Sequence, residues 1–108
     1  MSPAPSVSDA LRAAMNAARK AQDKDRTLVL GTILANLKNR EIELRRPPTT
    51  EEVLEVLRKG IKTRRESVEQ YTAANRPELA AVERSQIEVL EEFLPPAVDP
   101  AERLKGDD

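Results

Sequence analysis

Three charged residues fall where helical periodicity asks for apolar ones. Glu41 lies on a leucine stripe between Leu37 and Leu44. Arg64 sits near the centre of a face made by Leu57, Ile61, Val68 and Tyr71. Glu83 lies among Leu79, Gln86, Ile87 and Leu90. These alignments hold at about 100° of rotation per residue. A lone charge taken out of water is costly, so such residues usually acquire partners. Two carboxylates and one guanidinium are therefore expected to satisfy each other as a buried ion network of Glu41, Arg64 and Glu83. Two other readings stay open: a polar pocket in which Arg64 holds a carboxylate or phosphate, and side chains whose heads simply reach water. Paired carboxylates can perform acid–base chemistry. The chain, however, has no His and no Cys. That excludes nucleophile–His dyads and zinc sites built on Cys or His. No catalytic, cofactor-binding or metal-ligating residue is assigned.

A second constellation is basic. Arg58, Lys59, Lys62, Arg64 and Arg65 place five cations within eight residues, with no acid among them. Arg58, Lys62 and Arg65 share an outer face, and with Lys59 they form a candidate phosphate-contacting surface for nucleic acid. Glu51, Glu55 and Glu69 lie on nearly the same face and offer pairing one turn away, so a solvated, self-paired face is the preferred reading. Glu78, Glu83, Glu88, Glu91 and Glu92 make the following helix acidic. Any RNA contact is expected away from it.

The elements that must position these residues are legible from stripes and breaks. Leu11, Ala14, Met15 and Ala18 predict a helix over about 9–21, capped by Ser8 or Asp9. Leu30, Ile33, Leu34, Leu37 and Leu44 predict a second over about 25–45, with Asp23 or Asp25 as its cap. Pro47-Pro48 ends it, because neither can donate a backbone hydrogen bond. Thr49 followed by Glu52 has capping-box spacing and opens a third helix over about 50–74. Asn75 suits a left-handed helix end and Pro77 a first turn, so a fourth helix runs over about 77–93. A short fifth helix is expected near 99–105. No strand alternation and no repeat is present. The expected fold class is all-α: an antiparallel array of about four helices with a short C-terminal fifth.

Composition agrees. Charged residues make up 34% and hydrophobic ones 39%, yet the 108-residue chain carries one Phe, one Tyr and no Trp. Sheets favour aromatic and β-branched residues, so an aliphatic core under a charged surface points to helices. The net charge of −1 selects neither nucleic acid nor membrane as a bulk partner. No apolar run approaches the roughly 20 residues of a membrane span. Met1 to Ser6 lacks a signal-type segment, and a cytoplasmic protein is expected. Residues 1–8 are expected to be a flexible lead-in, 9–95 a helical domain, and 96–108 the start of a truncated or absent C-terminal domain.

The order of certain segments resembles a known family. These are Met15 to Asp25, Leu37-Lys38-Asn39, Ile61 to Ser67, Tyr71, Ala74-Asn75-Arg76-Pro77-Glu78-Leu79, and Ile87 to Pro95. Together they resemble the YqeY proteins, which share a module with the tail of GatB, a subunit of the tRNA-dependent amidotransferase. The likeness covers about residues 9–104. It implies an N-terminal helical domain followed by a smaller three-helix one. It further implies an accessory role near tRNA or an amidotransferase-type protein, under the family label of carbon–nitrogen ligase activity with glutamine as amido donor. This chain has no glutaminase nucleophile and no phosphate loop, so a non-catalytic module is expected. A protein-binding adaptor without nucleic-acid contact is the alternative. Two departures stand out. The chain stops soon after Leu104, where the smaller domain should begin, and Gly31 occupies a place where the family leads one to expect arginine.

Overall fold

A computed structural model describes residues 6–95. Four helices follow in order: α1 (Val7–Lys20), α2 (Lys24–Leu44), α3 (Thr50–Ala73) and α4 (Pro77–Glu91). There is no strand among the described residues, and the all-α expectation holds. The expected fifth helix near 99–105 lies outside them.

The helix starts follow their caps. Asp23 accepts the Arg26 N–H at 3.1 Å and opens α2. Ser6 accepts the Asp9 N–H at 3.1 Å, so α1 begins at Val7 rather than at residue 9. The expected caps Ser8 and Asp9 lie inside the first turn. Asp9 there suits the positive end of the helix dipole. At α3 the capping box is complete. Thr49 Oγ1 accepts the Glu52 N–H at 3.2 Å, and Glu52 Oε1 accepts the Thr49 N–H at 2.8 Å. The same carboxylate receives both Arg46 guanidinium ends, at 2.7 and 3.0 Å.

The ends of α1, α2 and α3 share one device. Gln22, Arg45 and Asn75 have φ of 59°, 59° and 57°. After α1 the Asp23 N–H donates to the Ala18 carbonyl at 2.9 Å. After α3 the Arg76 N–H donates to the Tyr71 carbonyl at 2.8 Å. These backward bonds satisfy last-turn carbonyls and reverse the chain within a few residues. Asn75 is readable from sequence as such a position; Gln22 and Arg45 carry no side-chain signal for it.

The reversals make antiparallel hairpins, with α1 against α2 and α3 against α4. Leu11, Leu30, Ile33, Leu57 and Leu90 have no exposed surface and form the centre of an aliphatic core that all four helices share. Val29, Val53, Leu54 and Ala80 join it, extending the sequence-derived stripes. The tightest point is Gly60. A Cβ built there would stand 2.9 Å from Ile33 Cδ1 of α2, 3.3 Å from Arg64 Nη1 and 3.6 Å from Leu90 Cδ1 of α4. Glycine costs about 1 kcal/mol of helix propensity relative to alanine, and the atoms around it are the far ends of side chains from α2, α3 and α4.

Two expectations follow. Gly60→Ala should change stability in urea titrations by less than about 1 kcal/mol, because the helix-propensity gain of about 1 kcal/mol offsets a shift confined to the ends of the Ile33 and Arg64 side chains; a loss above about 2 kcal/mol would mean those ends cannot move. The second concerns acid. The Arg46 guanidinium and the Thr49 N–H hold the Glu52 carboxyl at about 2, below its ordinary 4.5. Its contribution is therefore complete above 4.5 and lost as pH falls toward 2. Melting temperatures taken across that window should fall less steeply for Glu52→Gln than for the parent chain.

Candidate functional site

The basic run of α3 divides among several directions. Arg58, Lys59, Lys62 and Arg65 are all exposed. Arg58 Nη1 lies 3.6 Å from Glu51 Oε2 on its own helix. Arg65 Nη2 reaches Glu91 Oε2 on α4 at 3.4 Å. Such exposed pairs contribute about 0–1 kcal/mol and exchange readily with solvent ions. Lys62 lies between them on the outer face and makes no ion pair among the described residues. Lys59 turns instead to the rim of a groove.

That groove, of about 720 Å³, runs between α2, α3 and α4. Its α2 wall is a polar stripe of Thr32, Asn36 and Asn39, followed by Arg40 and Glu43. The α3 wall presents Thr63 and Ser67, with Gly60 and Arg64 beside them. Glu83 and Gln86 come from α4. Thr32, Asn36 and Asn39 recur at helical spacing beside the leucine stripe of α2. That uncharged polar row is the sequence signal for the groove, and charge-centred reading passes over it.

Arg64 is half-buried, as its place on the apolar face requires, but its partners are neutral. Its Nε donates to Gln86 Oε1 at 3.0 Å, and Nη1 donates to the Gly60 carbonyl at 3.0 Å. Among the described residues, no carboxylate lies within the 4.0 Å ion-pair limit of Arg64. The expected Glu41–Arg64–Glu83 network is thus not formed. Glu83 lines the same groove but acts on Arg64 only at longer range. Burial pushes the Arg64 guanidinium pKa down, against the attraction of Glu83. Glu41 is elsewhere, half-buried in a depression lined also by Arg12, Lys38 and Pro47. The physical reason lies one helical turn away: Gln86 is three residues beyond Glu83 and sits level with Arg64, so the amide takes the guanidinium and the carboxylate does not. No charged residue is fully buried among the described residues.

The closest long-range ion pair is at one end of the bundle. Arg26 Nη1 and Nη2 donate to Glu92 at 2.8 and 3.0 Å, tying the start of α2 to the end of α4. Hydrogen bonding to Arg26 holds the Glu92 carboxyl below the usual range. Among the described residues, no group of three or more acidic side chains is placed to hold a metal ion. No helix there is long and apolar enough to cross a membrane.

Four antiparallel helices around an aliphatic core, with an open polar groove between three of them, define a small all-helical module. The chain belongs to the YqeY family: it matches the family described as Yqey-like protein over residues 8–105. It is also 35% identical over 92 residues to the Schizosaccharomyces pombe protein described as "Uncharacterized protein C22F3.15". That match covers 84% of this chain and 74% of the relative. The resemblance carried by the Ile61–Ser67 and Ile87–Pro95 segments is thereby borne out.

The absent ion pair changes what substitution should do. Breaking a buried pair typically costs about 3–5 kcal/mol. Since Glu83 has no such pair, Glu83→Gln should leave unfolding free energy within about 0.5 kcal/mol of the parent, as surface changes do. Chemical denaturation monitored by circular dichroism checks this.

Proposed function

We propose that this chain is a non-catalytic helical module acting in the cytoplasm as a tRNA-associated accessory factor of glutamine-dependent amidotransferase, or carbon–nitrogen ligase, systems. The observation that carries the reading is the outer face of α3. Lys62 is exposed there without an ion-pair partner among the described residues, flanked by Arg58 and Arg65 in long, exposed pairs. Cations so placed can exchange carboxylates for backbone phosphates at little cost, which suits weak, sequence-independent contact with RNA. Membership in the YqeY family, which shares a module with the GatB tail, supports the choice of tRNA. The chemistry needed for catalysis is thin. The hydroxyls of Thr63, Ser67 and Tyr71 have no histidine to activate them, since the chain contains none.

A second reading is a protein-binding adaptor without nucleic-acid contact. It is favoured by Leu28, Ile42 and Val82, apolar side chains that are 64%, 63% and 53% exposed.

Fluorescence anisotropy with bulk tRNA at about 50 and 200 mM salt separates the two. On the RNA reading the chain binds at the lower salt. Lys62→Ala with Arg65→Ala then weakens binding evenly across tRNA sequences and reduces the salt slope by about one unit per lost phosphate contact. No binding at low salt, or unchanged affinity in the double variant, would favour the adaptor.

A further inference from the structure

The groove holds two opposite charges that do not meet. Arg64 and Glu83 are both half-buried and line the same cavity. They feel each other electrostatically, yet remain beyond ion-pair distance. Arg64 is fixed in place by Gln86 Oε1 and the Gly60 carbonyl, and neither acceptor carries a charge. Glu83 has no ion pair of its own among the described residues. The other charges of the groove are handled differently. Arg40 is 3.2 Å from Glu43, and Glu52 is held by Arg46 at 2.7 Å. Glu55 and Lys59 stand exposed at the rim. The interior charges of the groove are therefore one fixed cation and one carboxylate without an ion pair among the described residues, beside a wall of hydroxyls and amides.

The geometry points to a binding site for a small zwitterion of the α-amino-acid or dipeptide class, with its carboxylate on Arg64 and its ammonium on Glu83. A guanidinium already held through Nε and Nη1 is pre-organised, so little side-chain entropy remains to be lost on binding. A carboxylate arriving there offsets the desolvation that Arg64 already bears. Glu83 selects against ligands that carry only negative charge. A phosphate dianion would gain Arg64 and be repelled by Glu83, whereas an ammonium beside the ligand carboxylate converts that repulsion into attraction. Thr63, Ser67 and the α2 amides supply hydrogen bonds along the rest of the ligand. This site is separate from the outer face of α3 and stands whether or not that face contacts RNA.

The test is an NMR titration of the full chain with L-alanine, acetate, methylammonium and inorganic phosphate, each alone and at constant ionic strength. The Arg64 Nε–H signal and the backbone amides of 63–67 and 83–86 are followed. L-Alanine should shift these signals saturably, and each probe carrying charge of one sign only should bind at least about tenfold more weakly. Glu83→Gln should cost L-alanine about tenfold or more while leaving the melting temperature unchanged. Arg64→Gln should abolish saturation; if that variant does not fold, Arg64→Lys, which keeps the charge and loses the fork, should still weaken binding. Absence of a saturable shift with L-alanine would overturn the proposal. So would acetate or phosphate binding as tightly, or unchanged affinity in Glu83→Gln.

Discussion

The aliphatic core shared by all four helices is the constraint on which the rest of the molecule depends, and at Gly60 it meets the polar groove. Three helices converge on a residue without a side chain, and Ile33 and Leu90 close over its bare backbone. The same bareness leaves the Gly60 carbonyl open to Arg64 Nη1, at 3.0 Å. Gly60 thus touches side chains of α2 and α4 and, together with Gln86, holds the half-buried cation.

Charge is sorted by depth around that point. The surface ion pairs, such as Arg76 with Glu78 at 2.7 Å and Arg65 with Glu91 at 3.4 Å, are solvated and individually weak. The bidentate Arg26–Glu92 and Arg46–Glu52 pairs lie where chain segments must be joined: one ties the end of α4 to the start of α2, the other reinforces the cap of α3. Arg64 reaches inward, and it is met by an amide and a carbonyl. A neutral acceptor satisfies its donors without placing a second charge in a partly dry site. It also leaves Glu83 unneutralised at the groove wall.

Much of this organisation is legible in the amino-acid sequence. Helix number and order follow from the leucine stripes, from Pro47-Pro48, and from the Thr49/Glu52 and Asn75/Pro77 signals, because these act through local backbone physics. Burial of Leu11, Leu30, Ile33, Leu57 and Leu90 follows from the 3.6-residue period, and the ordered segments from Met15 to Pro95 are enough to indicate the family. What only the tertiary structure decided was partnership. Periodicity shows that Arg64 and Glu83 face inward, but it carries no information on axial register between helices. A shift of a single turn decides whether α4 offers Arg64 the carboxylate of Glu83 or the amide of Gln86. The same limit separates Glu41 from the other two, since two residues can each face inward and still line different cavities. The left-handed turns at Gln22 and Arg45 are hidden for a related reason: hydrogen bonds across the helix end and the packing of the hairpins impose them, and neither side chain announces it.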